Sequence, residues 1–372
     1  MATRKKRLLI TVAGLGIGGA EVVIKHLVRS IDRSKFDVSV CCIKVRGPIG
    51  DELARGGVNV VTLADSDEAR PTYLTFIKLF RLIRKERIDV VHTHTTDALA
   101  DAAICRLLIP SLRLIHTFHF GNYPNADRSN LRIERLFARF ADKLVAVGDV
   151  QRRQIISTFG LREGDVEKVW NGIPIEPAVA SGRFRASVGA NDRVLVGTIA
   201  TLIPQKGLTD LMEVARRVRN VNKKVMFVII GDGALRSELE ELRVRLGLED
   251  TVVLAGWVKD ASRVALPDFD VFFQPSLWEA MSIAVLEAMA AEKAIVATRV
   301  GENPHLIDDG SDGILVAPRN IEQMVSALCA VCADHELRGR LGRAAGDKAR
   351  HQFTVEHMAR DYEQLYLDAM SN

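Results

Sequence analysis

Two glutamates in the second half of the chain lie on either side of a predicted helix start that could bind hydroxyl groups and an anion. The spacing alone is common on any helix, so the interpretation depends on its context. Glu279 falls in a predicted loop, and Glu287, eight residues later, lies among apolar residues of a helix predicted to begin near Ser282. A carboxylate on such a face needs a partner, and the hydroxyls of a sugar or a ribose are suitable donors. The free amides of the helix start would face an anion. These amides belong to Ser282, Ile283 and Ala284.

A single lysine occupies a turn between a predicted strand and a predicted helix. Lys206 follows the strand 194–199 and precedes Gly207 and the helix 208–218. A lone cation at such a turn is well placed to neutralise a departing diphosphate. An isolated lysine is by default a solvated surface residue, so the functional interpretation of Lys206 depends on the glutamate pair that follows.

The first loop of the chain is rich in glycine. Gly14, Gly16 and Gly19 match the pattern G-x-G-x-x-G between a predicted strand and a predicted helix. Dinucleotide binding also needs an acid at the end of the second strand, where this chain has Lys44, so the pattern argues against NAD. Gly18 and Gly19 at the helix start still let backbone amides approach a diphosphate. The alternative is a tight turn without a ligand.

Three histidines lie at the ends of neighbouring predicted strands. Side chains alternate along a strand, so we do not expect His92 and His94 to share a metal ion, and no carboxylate completes a metal site. For His92 a purely structural role is favoured. His119 lies in a loop beyond its strand and is predicted to act as a neutral imidazole that hydrogen-bonds a sugar hydroxyl. The sequence therefore predicts no bound metal.

The cysteines and the lengths of the apolar runs indicate the cellular compartment. The five cysteines are scattered, and the pair Cys329 and Cys332 has no second pair or histidine cluster beside it, which favours buried thiols in a reducing compartment. No apolar run approaches the ~18 to 20 residues that span a bilayer. Residues 8–13 are too few for the apolar region of a signal peptide. We therefore expect a cytoplasmic protein.

Charge is distributed unevenly between the two halves. Residues 1–175 contain 28 Lys and Arg against 19 Asp and Glu, whereas residues 176–372 contain 23 against 28. The basic first half suggests a peripheral contact with an anionic membrane surface, or a phosphorylated acceptor, and we expect no nucleic-acid partner. A basic stripe at helical spacing, with apolar Leu131, Leu136 and Phe140 nearby, could lie on lipid head groups; a solvated helix face is the alternative. The stripe comprises Arg128, Arg132, Arg135 and Arg139.

Short apolar runs alternate with helical patterns throughout, which predicts parallel sheets covered by helices. The predicted strands are 8–13, 37–43, 58–62, 90–92, 113–117, 144–147, 167–169, 194–199, 224–230, 251–254, 271–274, 294–297 and 313–316. The predicted helices include 20–31, 73–86, 129–141 and 354–370. Turn formers at 176–192 predict a linker. We expect one Rossmann-like domain at 1–175, with the helix 354–372 packed back on it, and a second at 190–353.

These segments together resemble the retaining GT-B glycosyltransferases of family four, over nearly the whole chain. Glu279 and Glu287 match the paired glutamates of that family, and His119 matches its histidine near the transferred sugar. The other matching segments are GGAE at 18–21, VHTH at 91–94, DKLVAV at 142–147, NGI at 171–173, PQKG at 204–207 and GDGALR at 231–236.

The resemblance implies a fold and a set of roles. Two Rossmann-like domains would face each other across a cleft, with the acceptor on the first and a nucleoside-diphosphate sugar on the second. Catalysis would retain the anomeric configuration and need no metal. The implied catalytic residues are His119, Lys206 and Glu279. The implied donor-binding residues are Gly18, Gly19, Thr201, Lys206, Gly231, Trp257, Val258, Glu279, Ser282, Ile283, Ala284 and Glu287.

Three departures from the family pattern bear on the donor and on activity. Ala200 and Thr201 stand where the family has Gly-Arg, so the diphosphate loses a bidentate cation. The triplet after Glu279 is AMS rather than GFG, and the later GGxxE pattern appears as GENPH at 301–305.

The function that the sequence favours is transfer of a sugar to a glycan, a lipid-linked or another hydroxyl acceptor, in cell-surface polysaccharide or glycolipid synthesis. One alternative is a catalytically impaired partner subunit that binds nucleotide-sugar. Others are a sugar-nucleotide epimerase, a phosphorylase and an NAD dehydrogenase.

Overall fold

Uninterrupted apolar runs form the centres of two parallel sheets. Every side chain is buried in the strands Val225–Ile230, Val271–Gln274 and Ala294–Thr298. Strands covered by helices on both faces lack a polar alternation, which explains these runs. The computed structural model describes residues 4–64, 74–176 and 179–371.

Within the described residues there are thirteen strands and fifteen α-helices. The strands are β1 Lys6–Gly14, β2 Phe36–Val45, β3 Asn59–Thr62, β4 Val90–Thr93, β5 Arg113–Thr117, β6 Lys143–Ala146, β7 Val166–Lys168, β8 Val194–Ile199, β9 Val225–Ile230, β10 Val252–Gly256, β11 Val271–Gln274, β12 Ala294–Thr298 and β13 Ile314–Val316. The helices are α1 Gly19–Ser30, α2 Gly47–Arg55, α3 Thr75–Glu86, α4 Thr96–Leu108, α5 Arg128–Ala138, α6 Asp149–Phe159, α7 Arg183–Ser187, α8 Leu208–Val221, α9 Arg236–Arg245, α10 Ala261–Val264, α11 Ile283–Ala290, α12 Asn303–Leu306, α13 Ile321–Ala333, α14 His335–Gln352 and α15 Val355–Ser371.

The chain divides into two compact units, each with its own sheet. The first unit comprises Met1–Gly172 and Val355–Asn372, and the second comprises Ile173–Thr354. Among the described residues, the first sheet has the order β3-β2-β1-β4-β5-β6-β7 and the second β10-β9-β8-β11-β12-β13. All neighbouring strands are parallel. This confirms the predicted α/β class with two Rossmann-like sheets.

The order of each sheet reverses at one point, and that point selects the loops that can bind a ligand. The reversal lies between β1 and β4 in the first unit and between β8 and β11 in the second. Ligands of open parallel sheets bind beyond the carboxyl ends of the strands at such a switch. The loops that follow β1, β4, β8 and β11 are therefore the candidate ligand-binding loops.

The last described helix, α15, belongs to the first unit and completes its core. The hydroxyl of Tyr366 lies 2.8 Å from His92 Nδ1, and that of Tyr362 lies 3.0 Å from Thr117 Oγ1. The buried carboxylate of Glu363 accepts from the amide of Asp32 at 2.8 Å. The helix thus packs directly against the strands that carry the histidines.

Every predicted strand is present, with ends that agree within two residues. The predicted helix 129–141 ends three residues early, at Ala138, because Phe140 N–H bonds to Phe137 O in a tighter turn. The predicted helix 73–86 begins at Thr75, and Tyr73 lies outside the described residues. No helix in the described parts of the chain is both long and apolar enough to cross a membrane.

The predicted linker contains structure that the local pattern does not predict. Helix α7 lies within 176–192, of which residues 177 and 178 are outside the described ranges. The carboxylate of Asp268, only 3% exposed, accepts from the amides of Gly182, Phe184 and Arg185. The Arg185 guanidinium also pairs with Asp270 at 2.7 Å. A five-residue helix cannot stand on its own propensity, so these distant carboxylates stabilise it.

We expect Asp268→Ala to destabilise the second unit by roughly 2–4 kcal/mol, because three amides lose a charged acceptor and stay partly buried. Urea unfolding of the purified protein measures the change in the free energy of unfolding. Asp268→Asn, which keeps one acceptor oxygen, should lose less. Asp192→Ala, at an exposed position, serves as the control. Equal stability of Asp268→Ala and the control would contradict the anchoring role.

Candidate active site

Two loops at the carboxyl edge of the second sheet are joined to each other. The turn Pro204–Lys206 follows β8, and the loop 275–282 follows β11. The amide of Leu277 donates to Gln205 O at 2.7 Å, and the Gln205 side chain donates to Trp278 O at 3.0 Å. Gly207 makes the approach possible: its φ is +62°, and a Cβ there would lie 2.1 Å from Pro275 O.

The joined loops bring together the predicted lysine and the first predicted glutamate. Lys206 Nζ lies 2.7 Å from Glu279 Oε1, and Ser276 Oγ donates to the same oxygen at 2.7 Å. Gln205 Nε2 is 3.4 Å from the other carboxylate oxygen. Glu279 is 6% exposed, whereas the lysine side chain is 22% exposed. The carboxylate of Glu279 is thus buried among donors, beside a lysine side chain that still reaches solvent.

Helix α11 begins where the sequence predicts, with its start beside the glutamate loop. Ser282 is the N-cap, and its hydroxyl accepts from Val285 N–H. Leu286 N–H makes the first intrahelical bond, to Ser282 O, so the amides of Ile283 and Ala284 precede the hydrogen-bonded part of the helix. Such amides bind anions, and the helix dipole adds to the attraction.

A buried amide network fixes the helix start. Gln274 Nε2 donates to Ser282 Oγ at 2.5 Å, and Asn303 Nδ2 donates to Gln274 Oε1 at 2.9 Å. Asn303 also donates to Thr298 O at 2.8 Å. Gln274 and Asn303 thus orient the cap from behind.

The turn 301–305 supports the glutamate loop from the other side. Gly301 has a φ of +50°, and a Cβ there would lie 2.3 Å from Glu279 O. The amide of Glu302 donates to Ala280 O at 2.9 Å. The fully buried carboxylate of Glu302 pairs with His305 Nδ1 at 2.9 Å. This segment departs from the family pattern, and its structural role is to support the loop that carries Glu279.

The remaining candidates of the second unit lie at the same sheet edge or in the helix behind it. Gly231 directly follows β9 with a φ of +137°, and a Cβ there would lie 1.9 Å from Ala200 O. Thr201 is exposed after β8. Trp257 follows β10 and is 53% exposed, with Val258 half-buried beside it in sequence. Glu287 is half-buried in the middle of α11.

The glycine candidates of the first unit form the start of α1. Gly18 is the N-cap in an extended conformation, and Gly19 is the first helical residue. Gly18 has no capping side chain, and a Cβ there would lie 2.5 Å from the Glu21 carboxylate. A side chain at position 18 would thus clash with Glu21.

The histidines of the first unit are in direct contact. His94 Nδ1 lies 2.9 Å from His119 Nε2, and the rings of His92 and His94 are 4.1 Å apart at their centroids. The prediction that strand alternation separates His92 from His94 was wrong, because residues two apart share a face. Both ring nitrogens of His92 are hydrogen-bonded, to Tyr366 and Thr117, which confirms its structural role.

Burial keeps these rings neutral. Withdrawal from water lowers the pKa of His92 and of His94 well below the usual value, and the neighbouring histidines lower both further. The same desolvation, with His116 nearby, lowers the pKa of His119 to about 3. Neutral imidazoles offer one N–H donor and one acceptor nitrogen each.

Sequence reasoning missed two residues that support the candidates, and it missed the contact of His94 with His119. Ser276 and Gln205 hold the Glu279 carboxylate, and His94 holds His119. Ser276 and Gln205 lie within three residues of a predicted site residue, which is the signal that could have found them. The five cysteines are free, and all but the half-buried Cys329 are buried.

Two family models match this chain. Residues 17–177 match the model of Glycosyltransferase Family 4, and residues 192–334 match that of Glycosyl transferases group 1. The chain belongs to glycosyltransferase family four. It is an enzyme of the glycosyltransferase class with the GT-B fold.

Individual relatives of this glycosyltransferase extend along its whole length. It is 25% identical over 96% of its chain, and 95% of the relative, to UDP-Gal:alpha-D-GlcNAc-diphosphoundecaprenol alpha-1,3-galactosyltransferase of Escherichia coli. It is 27% identical to the putative glycosyltransferase EpsF of Bacillus subtilis over 100% of its chain and 95% of the relative. The crystal structure of Anabaena HepE in complex with UDP-glucose superposes with a TM-score of 0.87, over 97% of this chain and 99% of that one, at 22% identity.

The neutral histidines predict a pH dependence of stability. A histidine with a lowered folded pKa stabilises the protein fully above about pH 6.5, and this stabilisation falls as the pH drops towards the folded value. For His119 that window runs from about 6.5 down to about 3. We expect the free energy of unfolding in urea to fall between pH 7 and pH 5. His119→Gln should reduce that slope by as much as about 1.4 kcal/mol for each pH unit; an unchanged slope would show that His119 titrates normally.

Proposed function

We propose that this glycosyltransferase moves a hexose-type sugar from a uridine-diphosphate sugar to a hydroxyl acceptor, with retention of configuration and without a metal ion. The observation that carries the proposal is the Lys206–Glu279 ion pair at the carboxyl edge of the second sheet. The second unit would hold the donor and the first unit the acceptor.

The charges around Lys206 suit a nucleoside diphosphate. Its ammonium group reaches solvent while its partner is buried, so a bound phosphate can share it. The amides at the start of α11 add a second source of positive potential. Together these groups would neutralise the leaving diphosphate, which in other enzymes a metal ion does.

The carboxylates suit the neutral parts of the donor. Glu279 would accept hydrogen bonds from hydroxyls of the sugar, and Glu287 from those of the ribose. The exposed ring of Trp257, with Val258, would cover the base, and Thr201 would offer a hydroxyl to the diphosphate. Gly231, Gly18 and Gly19 would allow close backbone approach to the donor.

The proposed reaction needs no protein nucleophile. The bond between the anomeric carbon and the phosphate oxygen breaks, and the acceptor oxygen bonds to that carbon on the same face. The departing phosphate oxygen takes the proton of the acceptor hydroxyl. His119 would hydrogen-bond a hydroxyl of a bound sugar as a neutral ring. Charge compensation at the leaving phosphate would then be the main contribution to stabilising the transition state.

The relatives support the donor and acceptor classes. The Escherichia coli relative is named for transfer from UDP-Gal to a lipid-linked GlcNAc, and the HepE structure holds UDP-glucose. We therefore propose a UDP-sugar donor and a lipid-linked or glycan acceptor, in polysaccharide or glycolipid synthesis. The five free cysteines support action in the reducing cytoplasm.

Helix α5 is the proposed membrane contact. The four arginines of the basic stripe, three in the helix and Arg139 directly after it, are exposed, and no carboxylate in the described ranges forms an ion pair with them. Ile133 and Leu136 are also exposed, at 42% and 52%, whereas Leu131 and Phe140 pack against the core. The acid of the helix, Glu134, turns inward towards His116 at 3.5 Å. Cations beside apolar side chains suit an anionic lipid surface.

We expect Lys206→Ala to lower kcat by about a hundredfold or more, while the Kd for UDP rises less than tenfold, because the charge matters most in the transition state. Release of UDP from UDP-sugars, in buffer with EDTA and with lipid-linked acceptors, measures turnover; calorimetry measures Kd. Lys223→Ala, an exposed lysine of the same unit, is the control, and thermal unfolding verifies that both variants are folded.

The same assay separates the alternatives. Unchanged turnover of Lys206→Ala would remove this lysine from the mechanism. UDP binding by the wild type without release in the presence of any acceptor would favour a binding subunit instead. Loss of wild-type activity in EDTA would contradict metal independence.

We expect the wild type to sediment with phosphatidylglycerol-containing vesicles at low ionic strength, and to be released by high salt, because screening weakens the attraction of α5 to the lipid. The double variant Arg132→Glu, Arg139→Glu should bind at least tenfold more weakly. Arg245→Glu with Arg343→Glu, two exposed arginines of the second unit, is the charge-matched control. Equal loss of binding in both double variants would assign the effect to net charge rather than to α5.

A further inference from the structure

His94 is held in one orientation between two other histidines. Its ring, 4% exposed, lies between the ring of His92 at 4.1 Å and that of His119 at 5.2 Å, the latter nearly parallel at 25°. His92 is itself fixed by hydrogen bonds of both its nitrogens. The backbone amide of His94 also donates to Thr11 O at 3.1 Å. His94 therefore has little freedom to turn about its side-chain bonds.

The bond from His94 Nδ1 to His119 Nε2 couples the tautomers of the two rings. Each neutral ring carries one hydrogen on nitrogen, and the 2.9 Å bond needs one hydrogen between them. When His94 donates, His119 carries its hydrogen on Nδ1. When His119 donates, its Nδ1 is a bare acceptor. The direction of this one bond thus decides what His119 presents to a ligand.

The surroundings of His94 Nε2 distinguish the two directions. This nitrogen is enclosed and has no hydrogen-bond partner in residues 4–64, 74–176 and 179–371. If His119 donated, His94 would carry its hydrogen on Nε2, and a buried N–H would lack an acceptor. Unpaired buried N–H groups are rarer than unpaired acceptors. Donation by His94 leaves only an acceptor nitrogen unpaired.

We propose that His94 is a positioning residue that donates from Nδ1 to His119 Nε2 and thereby fixes His119 as a hydrogen-bond donor at Nδ1. This inference rests on the proposed function, in which His119 contacts a sugar hydroxyl. In this tautomer His119 donates to the oxygen of that hydroxyl and does not remove its proton.

The tautomer is measured directly by NMR. The protein labelled with nitrogen-15 in its nine histidines gives long-range proton–nitrogen correlations near neutral pH, and His119→Gln identifies the signals of His119. We expect a protonated Nδ1 and a bare Nε2 on His119. A protonated Nε2 in the wild type overturns the inference. This result does not depend on turnover, so a failure of the proposed transferase activity is seen separately.

Variants of His94 test the positioning role. His94→Phe keeps the flat ring but removes both nitrogens, and we expect His119 to lose its fixed tautomer and kcat to fall about tenfold with KM within twofold. His94→Asn, whose amide can donate in place of Nδ1, should recover part of kcat. His335→Phe, at an exposed position, is the control. A wild-type tautomer spectrum and kcat in His94→Phe would overturn the inference.

Discussion

The second unit is arranged around one ion pair, between a half-exposed lysine and a buried glutamate. Lys206 and Glu279 are 73 residues apart in sequence, and two loops must be joined to bring them within 2.7 Å. Gly207 and Gly301 adopt left-handed backbone conformations that let the loops pack without a clashing Cβ. Ser276 and Gln205 complete the shell of donors around the carboxylate. The cation can therefore be shared with a bound anion without leaving the glutamate uncompensated.

The first unit differs from the second because its polar candidate residues are uncharged rings. Desolvation keeps His92, His94 and His119 neutral, so their contribution is directional hydrogen bonding rather than electrostatic attraction. Each ring is oriented by the next, and the innermost by Tyr366 and Thr117. In the proposed function, the first unit would supply fixed hydrogen-bond donors and acceptors, and the second unit would compensate charge.

The strands could be predicted from the sequence because their signal is local. A run such as 225–230 is buried on both faces and is therefore apolar at every position. The cap at Ser282 is local in the same sense. Helix α7 could not be predicted, since its acceptor, Asp268, lies more than 80 residues away. The contact of His94 with His119 depends on the register of β4 with β5, which no pattern within either strand specifies.

The contact between Tyr366 and His92 spans 274 residues, and all of the second unit lies between them in the chain. On the ribosome, the first unit emerges early but lacks the helix that closes its core. The second unit is contiguous in sequence, so it can complete its sheet before α15 is available to the first unit. The order of synthesis is therefore the reverse of the order of completion, and the strands around His92 remain uncovered until α15 has been synthesised.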